Sequence, residues 1–361
     1  MAGHPGRPSG RPVRRAHGEA VALEGEFPLF DREAREGLED EVLAPGATHA
    51  RGGGARRREE EPDPWRTCFE RDRDRILHST AFRRLAGKTQ VFVFPADHQR
   101  TRLTHALEVA QVAGAIARSL RLNVALAEAI ALGHDCGHGP GGHASEDALS
   151  PFLEGGFDHA VWGAEVTTAG LNLCAETIDG IANHSWSRPA PATPEGEVVS
   201  LADRIAYTAH DLEDAARAGL VDRGELPALV RQRCGTSRSS QLDAFISDVV
   251  STSAAAGIIA MSEEMGEALE ALRRFDYERI YLREASLEQS ARVIELLRGL
   301  VEHYAANPGL VPGRPDEAGD SLDDPLQEAV AYVAGMTDRF AFAQAVTLLD
   351  WPAERLPRGA A

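Results

Sequence analysis

The sequence predicts an all-α fold. From Trp65 onward, apolar residues recur at helical spacing along most of the chain. No strand–helix alternation and no internal repeat is visible. A single stretch, KTQVFVFP (88–95), has β character.

Taken in order, residues 1–60 are expected to form a largely flexible N-terminal segment. GHPGRPSGRPVRR and ARGGGARRREEEPDP are rich in Gly, Pro and Arg and poor in large apolar residues. Between them, EFPLFDREAREGLEDEVL predicts a short helix docked on the body. Residues 61–350 read as the body, and 351–361 as a tail. Phe69, Ile76, Leu77, Phe82 and Leu85 share a helical face, and KTQVFVFP reads as a small hairpin or loop. Leu103, Leu107, Ala110, Gly114 and Ala117 predict a helix carrying His105 near its start. Further helices are expected near 124–134, 144–152, 159–172, 176–185, 197–218, 240–256, 263–274, 278–305, 323–335 and 337–349. The Pro/Gly/Asp-rich stretch 307–324 is a loop between C-terminal helices.

The 361 residues are enough for a substantial core, and 43% hydrophobic with 26% charged residues is ordinary for a soluble globular protein. No apolar run approaches the ~18 residues of a membrane span. Arg14-Arg15 lacks the apolar segment that an export signal needs. Four scattered cysteines, none in a C-x-x-C pair, suit reduced thiols and a cytoplasmic location. A net charge of −18 argues against a general nucleic-acid or anionic-membrane binder. It leaves room for a small anionic substrate held by a local basic cluster.

Chemistry concentrates between His98 and His159, which bound six of the thirteen histidines. The apolar run AEAIALG ends in His134-Asp135; His105 precedes it in RTRLTHALEV and Asp203 follows in SLADRIAYTAHDLEDA. Two imidazoles and two carboxylates, His105, His134, Asp135 and Asp203, suit a divalent metal ion and leave positions open on it. His143 and Glu146 are neighbours if helical, a pairing that orients an imidazole for proton transfer. His159, at the start of the next helix, is placed to face the same cleft. Any one of these histidines reads more simply as a locally bonded core or surface residue; the ordered set does not. Asp203, Tyr207 and Asp211 form a polar row on one helix, opposite Leu201, Ile205, Ala209, Leu212 and Ala216. Lys88, Arg100, Arg102 and Arg204 cluster around these elements and point to a phosphorylated substrate. Each arginine alone reads equally well as a salt-bridge partner.

These residues resemble the HD-domain deoxynucleoside triphosphate triphosphohydrolases, specifically the bacterial dGTPase-like proteins. The likeness runs through LEDEVLAP (38–45), RDRDRILHSTAFRRLAGKTQVF (71–92), RTRLTHALEVAQ (100–111), ALGHDCGHGPGGHASE (131–146), GGFDHA (155–160), LADRIAYTAHDLEDAARAGL (201–220) and GMTDRFA (335–341). It implies a helical HD phosphohydrolase domain with C-terminal helices over 61–350, and hydrolysis of a dNTP to deoxynucleoside and inorganic triphosphate. It implies that His105, His134, Asp135 and Asp203 bind Mn²⁺, Mg²⁺ or another transition metal ion. His143 matches the general acid, Glu146 its orienting carboxylate, and His159 a further active-site histidine. Arg102, Arg204 and Tyr207 match phosphate- and sugar-contacting positions, with Tyr207 helping to exclude a 2′-hydroxyl. Gln90 matches a position near the 3′-hydroxyl, and Asp211 one that also touches the sugar. Homo-oligomers are implied, and an allosteric nucleotide is allowed.

Many relatives carry Leu after the HD pair and Pro-Pro-Phe-Gly beyond it, where this chain has Cys136 and Gly139-Pro140-Gly141-Gly142. Those glycines predict a more flexible loop before His143. Two other readings stand beside the enzyme: an HD phosphohydrolase of another nucleotide phosphate ester, and a non-catalytic regulator that binds nucleotide or nucleic acid.

Overall fold

Caps and apolar faces set the helices of this computed structural model, which describes residues 28–91, 99–313 and 324–357, with 4–6, 13–17 and 322 besides. α1 (Arg32–Val42) opens where the Asp31 side chain accepts the Ala34 N–H. α2 (Cys68–His78) opens in a capping box: Thr67 Oγ1 accepts from the Glu70 N–H, and Glu70 Oε2 accepts from the Thr67 N–H. Ser79 then caps α3 (Thr80–Arg84). The body continues through α4 (Arg102–Ser119), α5 (Val124–Gly133), α6 (Ala144–Leu149), α7 (His159–Trp162), α8 (Ala175–Asn183) and α9 (Pro194–Arg217). It ends with α10 (Ala228–Arg233), α11 (Arg238–Ala256), α12 (Glu263–Asp276), α13 (Glu284–Ala306), α14 (Pro325–Ala334) and α15 (Asp338–Leu348). The all-α expectation holds. Among the described residues the named strands are β1 (His4–Gly6) and β2 (Val13–Arg15), an antiparallel pair in the N-terminal segment. No helix there is long and apolar enough to cross a membrane.

Two apolar cores organise the body. The larger joins α2, α4, α5, α8, α9, α11 and α12 through residues such as Phe69, Ile116, Ile130 and Ile205. The second joins α6, α13, α14 and α15 through Leu149, Leu297, Val330 and Phe342. The chain between α5 and α6 therefore crosses from one core to the other. His134 to His143 lie on that crossing, buried up to Gly142.

Three expectations need adjusting. Of the β-like stretch, Thr89 pairs with Thr101 in one antiparallel bridge, and residues 92–95 lie outside the described residues. The helix expected over 159–172 stops at Trp162 and widens into a π-turn over Gly163–Thr167. The crossing packs closely against this turn, since a Cβ on Gly137 would collide with the His159 carbonyl oxygen and with Gly163 N. Residues 28–60 are also more firmly held than their composition suggests. Arg56 pairs with the fully buried Asp72 at 2.6 Å, and Glu195 accepts from the Thr48 N–H at 3.0 Å. Such partners lie far off in sequence, where composition cannot register them.

Candidate active site

Three helices converge to place the H…HD…D donors. α4 presents His105 one turn from its start, the end of α5 presents His134 and Asp135, and α9 presents Asp203 in its third turn. His105 Nε2 lies 3.0 Å from Asp203 Oδ1 and 3.8 Å from Asp135 Oδ2. His134 Nε2 lies 3.4 Å from Asp135 Oδ1 and 3.7 Å from Asp203 Oδ1. Donor atoms of His105, His134 and Asp203 fall within 4.8 Å of one another, as around one cation, and Asp135 flanks them with Oδ2 toward His105 and Oδ1 toward His134. His134 Nδ1 donates to the Ala131 carbonyl at 2.7 Å, leaving its buried Nε2 with a lone pair and no partner. That locked tautomer is what a metal-binding imidazole requires.

Electrostatics favour the anionic donors. Burial pushes the Asp135 carboxyl up, but Arg102, His134 and His138 outweigh it and hold the group well below the usual carboxylate range. Asp203 is held down likewise. Burial pushes it up, and the hydrogen bond from His105 does most to reverse that.

On the open side, His143 and His159 share one carboxylate. His143 Nδ1 lies 3.3 Å from Glu146 Oε2, and His159 Nδ1 lies 2.6 Å from Glu146 Oε1. Burial raises Glu146, and the hydrogen bonds from His143 and His159 more than reverse it, so the carboxylate is ionised and accepts from both. The His143 side chain is 75% exposed and free to meet a ligand.

Arg102 is buried beneath the donors. Its Nη1 donates to Asp135 Oδ2 at 2.7 Å, while Nε and Nη2 are buried without a partner. Arg204 stacks on the Trp186 ring at 3.5 Å. Burial above all pushes the Tyr207 phenol up to about 12. Gln90 Oε1 is buried and unpartnered. Asp211 is turned away into an ionic knot, accepting from Arg100 and Tyr281. Arg100 is thereby spent on Asp211, Asp214 and Glu108, and Lys88 on the carbonyls of His138 and Ala334.

Two histidines belong to this cluster beyond those expected from sequence. His138 Nε2 lies 3.2 Å from Asp135 Oδ1, and its ring stacks on His159 at 3.7 Å between centroids. Its place four residues after His134 was an available signal. His184, ending α8, brings Nε2 to 3.3 Å from His159 Nε2. Nothing local in IANHSWS marks it.

The glycine-rich crossing is tightly built. Gly141 and Gly142 adopt φ of +75° and +66°, and a Cβ on Gly141 would collide with Val293. Asp338, which begins α15, accepts the Gly141 N–H at 2.9 Å and the Thr89 N–H at 3.0 Å. Against the flexibility expected from composition, the loop is buried up to Gly142, and the Gly139 and Gly141 N–H groups are bonded to Ser145 and Asp338.

Comparisons with known proteins agree with this architecture. Residues 102–208 match the HD domain, and residues 259–346 match the phosphohydrolase-associated domain. A deoxyguanosinetriphosphate triphosphohydrolase-like protein of Caldanaerobacter subterraneus subsp. tengcongensis is 42% identical, covering 86% of this chain and 93% of its own. One of the same description from Clostridium perfringens (strain 13 / Type A) is 42% identical, covering 79% and 87%. A solved structure of a hypothetical protein from Aquifex aeolicus shares the fold at 20% identity and a TM-score of 0.50, covering 79% of this chain and 69% of that one. Together with the helical cluster around His134-Asp135, these likenesses make the chain a member of the deoxyguanosinetriphosphate triphosphohydrolase-like family of HD phosphohydrolases.

Proposed function

We propose that the protein hydrolyses deoxynucleoside triphosphates to deoxynucleoside and inorganic triphosphate, and so shapes dNTP pools. The observation that carries this reading is Arg102. It is a buried guanidinium with two unpartnered N–H-bearing nitrogens, set against the donor cluster and matched to phosphate oxygens. The unpartnered Nε2 of His134 and the carboxylates of Asp135 and Asp203 face the place where an ion would sit. His105, His134, Asp135 and Asp203 would hold Mn²⁺, Mg²⁺ or another transition metal ion. Such an ion, when bound, polarises a phosphoryl oxygen and acidifies water.

The chain's own groups do the rest. Arg102 and Arg204 neutralise phosphate charge as it shifts in the transition state. His143, oriented by Glu146, donates a proton to the departing 5′-oxygen, and its exposure keeps it in exchange with solvent. His159 steadies the shared carboxylate from the buried side. Tyr207 on α9 bounds the sugar side and excludes a 2′-hydroxyl, with Gln90 near the 3′-hydroxyl. The sugar contact expected of Asp211 competes with the bonds it accepts from Arg100 and Tyr281. Homo-oligomers and activation by a second nucleotide belong to the same proposal.

A chromatographic assay over the four dNTPs, singly and pooled, with Mn²⁺ and with Mg²⁺, tests it. Release of triphosphate and deoxynucleoside is expected. Orthophosphate without triphosphate would select another phosphate ester, and no product under any condition would sink the enzyme reading. Size-exclusion chromatography with and without nucleotide checks the assembly.

A further inference from the structure

Arg204 is held without spending an N–H. Its guanidinium carbon lies 3.5 Å from the centroid of the Trp186 ring, and among the described residues the guanidinium makes no ion pair or hydrogen bond. The other arginines of the site are tied differently. Arg100 is spent on three carboxylates, and Arg102 gives one nitrogen to Asp135. A carboxylate fixes an arginine by occupying the donors that a phosphate would need. An aromatic face fixes it through the electron density of the ring and leaves the N–H edge open.

Trp186 is placed for this hold and not for the core. The ring is 51% exposed and belongs to neither apolar core. Its indole N–H donates to the Ser200 carbonyl at 3.1 Å, and Ser200 Oγ donates to the His184 carbonyl at 2.6 Å. Ser200 lies one turn before Arg204 on α9. The chain leaving α8 is thus stitched to the helix that carries the arginine, and the stitch sets the indole over the guanidinium. Arg204 follows the metal-site carboxylate Asp203 directly in sequence, so the tethered cation stands beside the donor cluster. Burial above all pulls this guanidinium below its ordinary value, so an anion arriving there meets a cation already stripped of part of its water.

We propose that Trp186 is a positioning residue, whose ring holds the Arg204 guanidinium with its N–H edge presented to the phosphate chain of the substrate. This inference rests on the reading of the site as one for a nucleoside triphosphate. Without the ring, the long Arg204 side chain has to be ordered at each binding event, which weakens binding.

A double-mutant cycle on the binding of inorganic triphosphate tests the role. Calorimetry on the full chain with Mn²⁺ compares the parent, Trp186→Leu, Arg204→Gln and the double variant. Trp186→Leu should bind triphosphate about 3–30-fold more weakly, the span of a cation–π contact from exposed to desolvated. Trp186→Phe, which keeps a ring face, should recover most of the affinity. In the Arg204→Gln background, Trp186→Leu should cost nothing further. Mn²⁺ per chain should match the parent in Trp186→Leu; a fall would make the ring a support of the metal site instead. Parent affinity in Trp186→Leu, or an equal loss in the Arg204→Gln background, would overturn the inference. A parent that binds triphosphate but hydrolyses no dNTP would end the enzymatic reading alone, and the cycle would still decide the role of Trp186. A parent that binds no triphosphate would bring down both.

Discussion

Asp338 Oδ1 accepts the backbone N–H of Gly141 at 2.9 Å, tying the first turn of α15 to the loop that delivers His143. The second oxygen takes the Thr89 N–H at 3.0 Å, beside Gln90. A residue almost two hundred positions from the loop thus holds two stretches of backbone around the candidate site. Asp338→Ala strips both acceptors, and unmet buried N–H groups cost about 1–3 kcal/mol each. The expected loss is about 2–4 kcal/mol in denaturant unfolding, with a fall in kcat. Asp338→Asn, which keeps one acceptor oxygen, should lose less on both measures.

His143→Gln should lower kcat by about 10²–10⁴-fold if the imidazole supplies the leaving-group proton. Bound metal should not change, since His143 lies outside the donor set. A substrate releasing nitrophenolate needs no such proton and should be far less affected. Equal losses on both substrates would remove His143 from the proton-donor role.

Asp203→Asn removes a charged donor while preserving size. The variant should bind less Mn²⁺ per chain by elemental analysis. Mn²⁺ should also raise its Tm less than it raises that of the parent, because an ion stabilises in proportion to its affinity for the folded state. Chelation of the parent should abolish hydrolysis and lower Tm together.

Lys88 gives a pH dependence of stability. Burial above all pushes its ammonium down to about 8 from an ordinary 10.5. Between those values the unfolded chain binds more protons than the folded one, so the contribution to stability rises with pH across that window. Lys88→Met has no such proton to lose. Measured by urea unfolding from pH 7.5 to 10.5, the parent should gain on the variant by up to about 3 kcal/mol. A constant difference across that range would refute the assignment.

Much of the candidate site is legible locally. His134 and Asp135 announce themselves by ending an apolar helix, and Glu146 by its helical spacing from His143. Asp211 shows where that logic stops. It shares a helix face with Asp203, yet it folds into Arg100 and Tyr281. Helical spacing says which side chains are neighbours but not which other element meets that face.

The sequence by itself determined the helices, their caps and the H…HD…D order, because each depends on residues a few positions apart. Tertiary structure alone decided that His184 meets His159, and that Asp338 holds Gly141. It also buried the glycine-rich crossing and packed it closely. Those outcomes depend on where two cores bring distant segments together, and on burial that leaves each lone pair and N–H either matched or exposed as an unmet demand.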